Sequence, residues 1–444
     1  MRWLLLLVLL AAGCGFPNGL DDDDSAPADD DDAADDDDAD DDDDAADDDD
    51  DDDDTPTLEA ELLAALSDPA ATEASLDALI EQFAYTDGWP VQRTVFATKW
   101  VDPPGDVALV GDLNDWDPAT NPAQAAASGV HWYVLIPNAN AGKYKWHAGG
   151  EFVAPMEARA WGSDELGRYG YVAPPTEGPW NAWQPLLSDV GEEVFATRSL
   201  HLRYPDGAPA STDRLLVMYD GQNALNADAP FGGWQAEAAV AGLGWTDVII
   251  AAVEAGSDRF DVYSPVSDDP FGDGPLGGRL PAYHDWLLAK LAGEGLPGGN
   301  VAVVGSSLGG LAALWAAMER PDDVACVMGM SPTASWGGLA PGNDATGALA
   351  NAWPAAGHGG AAVYLDSGGD VVACTDADGD GLQDDADDFD NYCVTTQLRD
   401  VLEGVGYAFG TDLAHWHEPG APHNEGAWAA RLPQALQACS DMGW

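Results

Sequence analysis

Two short motifs, far apart in the chain, hold residue types that could perform nucleophilic catalysis. Gly305-Ser306-Ser307-Leu308-Gly309 fits the pattern G-x-S-x-G. The apolar run Val301–Val304 precedes it, and a helical segment from Leu308 to Arg320, stopped by Pro321, follows it. In that strand-turn-helix context the central serine is forced into a tight bend with its hydroxyl presented for attack. The plainer reading of the same residues is a Ser-Gly turn between any strand and helix. A serine hydroxyl needs a base to take its proton. Of the eight histidines, His423 is selected by position: it follows the last predicted strand and precedes a closing helix that holds Trp428 and Arg431. His415 and His417 form an H-x-H pair without a third ligand at suitable spacing, so they are expected to line the pocket or serve structure.

An acid is expected after the nucleophile, before the base, and just beyond a strand, where it would orient the imidazole. Tyr364-Leu365-Asp366-Ser367-Gly368-Gly369-Asp370 meets that requirement, with Asp370 the first choice and Asp366 the second. One donor to a developing oxyanion is expected from the backbone of Leu308, behind the nucleophile, and another from an early strand-to-helix loop.

Directly after that strand, Asp376, Asp378, Asp380, Asp384 and Asp387 occupy positions 1, 3, 5, 9 and 12 of an EF-hand-like loop. Gly381 stands at position 6 and Leu382 at the position that offers a carbonyl. Such spacing lets a winding loop aim several oxygens at one hard cation, so structural Ca²⁺ is expected; the alternative is an unmetallated acidic loop. The spacing also resembles thrombospondin-type calcium repeats. Cys374 and Cys393 bracket the segment. A Cys374–Cys393 disulfide is therefore expected, leaving Cys326 for Cys439. The insertion 374–393 reads as a clipped calcium loop between acid and base that rigidifies the rim of the site. No organic cofactor is expected.

These residues must be positioned by a scaffold. From residue 174 to 444, apolar runs at Arg214–Tyr219, Thr246–Val253, Asn300–Val304 and Ala361–Leu365 alternate with helical segments such as Leu280–Gly293. That alternation predicts an α/β domain: a mostly parallel sheet with helices on both faces and its site at the strand C-termini. Residues 89–173 show short alternating runs punctuated by Gly, Pro, Asn and Asp, which predicts a small β-sandwich. Residues 57–88 carry apolar residues at helical spacing, broken near Pro69, and predict two short helices.

The N-terminus is of another kind. Residues 1–14 combine Arg2, an apolar run and Ala-Ala-Gly-Cys, which resembles a bacterial lipoprotein signal ending at a lipid-modified Cys14; an ordinary cleaved signal is the alternative. Membrane attachment would then be by lipid alone. Residues 15–56 read as a disordered poly-Asp tether, because 25 aspartates without a base repel one another and bury nothing. The whole chain has 16 basic and 79 acidic side chains and a formal charge of −63. A surface that negative repels phosphate backbones, so nucleic acid is excluded as a partner.

Two resemblances add to this reading. Val110-Gly111-Asp112-Leu113-Asn114-Asp115-Trp116 and Ala141-Gly142-Lys143-Tyr144-Lys145-Trp146 resemble early-set modules related to glycogen-binding domains. Read from the residues, Trp116 and Trp146 fill the core of the sandwich and the module props up the domain that follows; the resemblance implies, as the alternative, a glycan contact in which a sugar stacks on Trp146. Met218-Tyr219-Asp220-Gly221-Gln222, Arg259…Tyr263-Ser264-Pro265, Gly305–Gly310 and His423-Asn424-Glu425…Trp428…Arg431 resemble the esterase family that includes enterochelin esterases, feruloyl esterases and S-formylglutathione hydrolase. That resemblance implies an α/β-hydrolase fold, a catalytic Ser307 and His423, and an oxyanion hole from Gly221, Gln222 and Leu308. The expectation is an exported serine esterase acting on a small-molecule or polysaccharide ester. A surface glycan-binding protein with an inactive hydrolase domain, and an acyltransferase using the same residues, are the alternatives.

Overall fold

The computed structural model describes residues 57–444 apart from 86–92, 156, 187–194, 208, 226–228, 341–346, 377–378, 380 and 384–389. The expected signal, Cys14 and the poly-Asp tether lie outside these residues, as do Asp378, Asp380, Asp384 and Asp387. Among the described residues no helix is long and apolar enough to cross a membrane.

Two helices open the described chain, α1 (Leu58–Ser67) and α2 (Glu73–Tyr85), separated near Pro69. Their leucines Leu62, Leu66 and Leu76 are buried with Val95 and Ala97. Glu59 at the start of α1 accepts the backbone N–H groups of Thr94 and Val95 at 2.6 and 2.8 Å, satisfying the first donors of the strand beneath.

The β-rich module that follows consists of β1 (Arg93–Lys99), β2 (Val107–Gly111), β3 (Gln124–Ala125), β4 (His131–Ala139), β5 (Lys143–Ala148), β6 (Glu151–Val153), β7 (Ala160–Asp164) and β8 (Gly167–Tyr171). β1, β4 and β3 form a separate three-stranded sheet. Phe96 and Val134 from that sheet share a core with Val107, Leu109, Tyr144 and Trp146 of β2 and β5. The module does not stand apart from the rest of the chain. β9 (Trp180–Leu186) pairs with β7 on one side and with β10 (Arg198–Tyr204) on the other. One 13-stranded sheet therefore runs from the module into the α/β region.

The rest of that sheet comprises β11 (Arg214–Met218), β12 (Val248–Val253), β15 (Val301–Ser306), β16 (Cys326–Met330), β17 (Ala362–Ser367) and β18 (Leu413–His417), in the order β18-β17-β16-β15-β11-β12-β10. A two-residue ribbon, β13 (Ser267–Asp268) with β14 (Leu276–Gly277), lies outside it. The pairings from β12 to β18 are all parallel, and only β10 joins antiparallel. Parallel strands need helical crossovers, so both faces must be covered.

Alternate residues of each strand divide between two cores. Leu215, Val217, Val303, Val327 and Val363 pack with α5 (Leu280–Gly293), α6 (Leu308–Glu319), α7 (Ala348–Ala356) and α8 (Tyr392–Val405) on one face. Leu216, Met218, Ala302, Val304, Met328 and Tyr364 pack with α3 (Ala236–Gly242) and α9 (Glu425–Asp441) on the other. The near-continuous apolar runs seen in the sequence are the consequence, because these strands have no solvent face. The short α4 (Arg259–Val262) completes the helices. Both expected disulfides form: Cys326 at the start of β16 binds Cys439 on α9, and Cys374 binds Cys393 on α8.

Candidate active site

β15 ends at Ser306, and α6 begins at Leu308, so Ser307 alone makes the turn between them. It does so at φ 54°, ψ −123°, a conformation sparsely populated by residues with a side chain. The turn is tight enough that a Cβ on Gly305 would sit 2.2 Å from the carbonyl oxygen of Gly309, which is why glycine is required there. The Ser307 N–H donates to Met330 O at 3.0 Å, and Thr333 N–H donates to Ser307 O at 2.9 Å. Ser307 Oγ lies 3.3 Å from Thr333 Oγ1.

The turn after β11 adjoins this elbow. Asp220 is left-handed at φ 56° and introduces the 3₁₀ turn Gly221–Asn223. Gly221 presses against β12 so closely that a Cβ would lie 2.4 Å from the Ala252 carbonyl carbon. On the far side, a Cβ on Gly309 would meet Asp220 Oδ2 at 3.1 Å, which places the two turns side by side. Asp220 is locked by a bidentate pair with Arg259 at 2.7 and 2.8 Å, and its N–H donates to the Tyr263 hydroxyl at 3.1 Å. Burial alone would lower the Arg259 guanidinium, but the Asp220 carboxylate outweighs it and holds it above its usual value. The N–H groups of Gly221, Gln222 and Leu308 donate to no acceptor among the described residues. Three backbone donors on two adjoining turns are thus available to a developing negative charge.

His423 stands on the loop before α9. Asn424 caps that helix by accepting the Ala427 N–H at 3.0 Å, and Glu425 Oε1 accepts from Asn223 Nδ2 at 3.1 Å, which ties the His423 loop to the turn after β11. On the other side, Gly369 N–H donates to Ala421 O and Gly420 N–H to Gly369 O, both at 2.8 Å. His417 Nε2 lies 3.1 Å from the carbonyls of both Gly368 and Gly369. Since both partners are acceptors, Nε2 is the protonated nitrogen, and His417 fastens the loop after β17. Its neighbour His415 is driven down to about 4, first by burial and then by the charge of Arg399. Among the described residues no cluster of His, Cys, Asp or Glu is arranged to hold a metal.

The carboxylate beside the His423 ring is not the one expected from sequence. Asp370, the first choice from sequence, lies exposed on the loop after β17, and among the described residues no hydrogen bond or ion pair joins it to His423. Asp366, the second choice, is buried and engaged by Arg431 Nε and NH2 at 3.1 and 3.2 Å, the Ser331 N–H at 3.1 Å and the Tyr364 hydroxyl at 3.3 Å. Burial outweighs those contacts and raises its carboxyl to about 6. The carboxylate on the imidazole belongs instead to Asp390, whose Oδ1 is 2.5 Å from His423 Nδ1. Asp390 is fully buried; its Oδ2 accepts from Ser331 Oγ at 2.6 Å, from the Gly368 N–H, and from Arg431 NH2 at 3.5 Å. It comes from the far end of the acidic insertion, immediately before Asn391 and α8. A search confined to residues close behind a strand misses it, because the insertion displaces the residue along the chain while the fold returns it to the strand ends. Its place just before Cys393, on the residues that the disulfide anchors, was the one available signal.

Ser307 and His423 both lie at the C-terminal edge of the parallel sheet, but no hydrogen bond joins them among the described residues. They are joined through the segment after β16: Met330 holds the serine backbone, and Ser331 holds Asp390. Of the calcium candidates, Asp376 is exposed and its carboxylate accepts the N–H groups of Gly379 and Gly381 at 2.8 and 3.2 Å. The Leu382 side chain is buried, and Gln397 of α8 grips the backbone of Gly381 and Gln383 at 2.9 and 3.1 Å. Trp146 fills the module's core, as the residues themselves predict: it is buried, with Nε1 donating to Glu157 at 2.5 Å, so a sugar does not stack on it.

The region that builds this site, residues 199–439, matches the family model described as "Putative esterase", over more than half of the chain. The chain belongs to this esterase family. Membership makes it an ester hydrolase, and the serine elbow falls inside the matched residues. Against curated protein sequences the esterase has no match. Among solved structures it is similar to the enterobactin esterase of Shigella flexneri, with 14% identity, 78% of this chain and 92% of that chain covered, and a TM-score of 0.40. It is also similar to the BES protein of Bacillus cereus (16%, 58% and 95%, TM-score 0.41) and to a siderophore hydrolase of Aspergillus nidulans (13%, 59% and 95%, TM-score 0.41).

Proposed function

We propose that the protein is an exported serine esterase that cleaves carboxylic esters through an acyl-enzyme, with Ser307 as nucleophile, His423 as base and Asp390 as the acid that orients it. The observation that carries this reading is the short Asp390–His423 pair at the same sheet edge as the strained Ser307 elbow. With Nδ1 committed to Asp390, the Nε2 lone pair is free to take a proton. As Ser307 Oγ attacks the ester carbonyl, its proton passes to His423 Nε2, and the oxyanion is received by the backbone N–H groups of Leu308, Gly221 and Gln222. The tetrahedral species collapses, the alcohol leaves with the proton from His423, and Ser307 remains acylated. Water then repeats the sequence, giving the acid and the free enzyme.

Labelling with a fluorophosphonate tests this. Covalent labelling that disappears in Ser307→Ala and His423→Ala supports the mechanism; wild-type protein that neither labels nor hydrolyses a p-nitrophenyl ester overturns it.

Export, with a lipid on Cys14 and the poly-Asp stretch as spacer, rests on the leader pattern and on two disulfides suited to an oxidising compartment. Mass spectrometry of the mature N-terminus checks it. A structural Ca²⁺ on Asp376, Asp378, Asp380, Leu382 O, Asp384 and Asp387 is supported by their spacing and by the left-handed Gly381 (φ 87°). A glycan contact of the β-rich module would use the half-buried Trp116, which lies beside the exposed Phe152, in place of Trp146. Affinity electrophoresis in a glycan-containing gel, with Trp116→Ala as control, tests it.

A further inference from the structure

The segment Met330-Ser331-Pro332-Thr333 leaves β16 between the strand that carries the nucleophile and the strand whose following insertion returns the acid. Its backbone clasps Ser307 from both sides, through Met330 O and Thr333 N–H. Between those two contacts stands Ser331, fully buried and held at φ 44°, a left-handed conformation that costs a residue with a side chain free energy.

Its hydroxyl has three partners. Trp428 Nε1 lies at 3.2 Å, Arg431 NH2 at 2.9 Å and Asp390 Oδ2 at 2.6 Å. The indole and guanidinium nitrogens can only donate. Both lone pairs of the hydroxyl are therefore occupied, and its single proton has one acceptor left, Asp390. Because Asn391 Nδ2 donates to Ser331 O at 3.0 Å, the residue after the acid is fixed to the same point.

Building on the serine-esterase reading above, we propose that Ser331 is a positioning residue: it fixes the rotamer of Asp390, and through it the tautomer and direction of the His423 ring, in register with the nucleophile two contacts away. The segment after β16 is then the gauge that sets the spacing between the two halves of the triad. The acid docks on Ser331 and on the Gly368 N–H, both of which lie outside its own loop.

The test is steady-state hydrolysis of a p-nitrophenyl ester by the full chain, comparing Ser331→Ala in the wild-type and Asp390→Asn backgrounds, with fluorophosphonate labelling alongside. In the wild-type background kcat should fall about 10- to 100-fold with KM within about twofold, the loss expected of a misplaced catalytic group. In the Asp390→Asn background the same substitution should cost less than about twofold, since a residue acting through Asp390 has nothing left to position. If Ser331→Ala does not fold, Ser331→Cys, which keeps the volume and loses most of the donor strength, carries the same comparison. Equal losses in both backgrounds, a loss confined to KM, or an unchanged kcat overturns the proposal while leaving the esterase reading intact. A wild-type protein that neither labels nor turns over overturns the esterase reading itself.

Discussion

His423 Nδ1 and Asp390 Oδ1 lie 2.5 Å apart although an entire acidic insertion separates Asp390 from the strand whose end it serves. The insertion leaves the sheet edge after Ser367, is tied by Cys374–Cys393, and comes back to place its last aspartate against Gly368, only one residue beyond where it departed. The chain thus closes a circuit in which both ends of the excursion are fixed at the same strand terminus.

The two aspartates separate cleanly by mutation. Asp390→Asn keeps the shape but favours the wrong imidazole tautomer, so kcat on a p-nitrophenyl ester should fall by about 10²- to 10⁴-fold with little change in melting temperature. Asp370→Asn, on an exposed residue away from the ring, should stay within about twofold of wild type. The opposite ranking would return the role to Asp370.

How much of this was legible beforehand follows from the physics of each element. The buried strands β11, β12, β15 and β17 and helices α5 and α6 showed as apolar runs and periodic segments, and Ser307 and His423 were marked by the turns around them. β16 and β18 carry little local signal, since Cys326-Val327-Met328-Gly329-Met330 holds a glycine and two methionines and Leu413–His417 holds two histidines, and they are strands by virtue of their neighbours. Pairing of β9 with both β7 and β10, which makes the sheet continuous, is a long-range event without local signature. Asp390 was hidden among near-identical acids. The buried hydroxyl, amide and guanidinium that converge on it distinguish it from the exposed Asp370.

The two disulfides should have different effects. Cys374–Cys393 closes a loop with a sequence separation of 19, and its removal should cost about 3 kcal/mol in the loop-entropy picture. It also anchors the segment three residues beyond Asp390, so Cys374→Ser/Cys393→Ser should lose kcat even well below its melting temperature. Cys326–Cys439 spans 113 residues, and removing it should cost more, about 4 to 5 kcal/mol, while leaving kcat near wild type in protein that remains folded. Thermal melts and kcat measured together distinguish stability from placement; equal kcat for both double variants would detach the insertion from the site.

Calcium, if it occupies the insertion, acts on the same circuit. EGTA should lower the melting temperature of the wild type by several degrees, on the scale of a ligand that binds only the folded state, and Asp376→Ala should abolish that response. Re-addition of Ca²⁺, but not of Mg²⁺, should restore it, because an irregular loop of many oxygens suits the larger ion. A melt indifferent to both chelator and ion would leave the loop as a covalently clipped acidic turn.

The buried pair Asp366–Arg431 makes a prediction about pH. Burial raises the Asp366 carboxyl from 3.8 to about 6 despite its bonds to Arg431, so the folded protein holds this proton more tightly than the unfolded chain. Linkage then fixes the sign: the contribution is fully present below about pH 4 and is lost as pH rises through about 6. The size implied is at most on the order of 3 kcal/mol. Other carboxylates of this acidic chain titrate over the same range, so the quantity to measure is a difference. Denaturant unfolding of wild type and Asp366→Asn at intervals from pH 4 to 7 should show a gap between the two proteins that changes with pH. The wild type should lose stability relative to the variant up to about pH 6, and the difference should level off above it. Asparagine resembles the protonated carboxyl and cannot ionise, so the variant has no such pH dependence from this position. A gap that is flat across the whole range would show that Asp366 is ionised throughout and that Arg431, not burial, governs it.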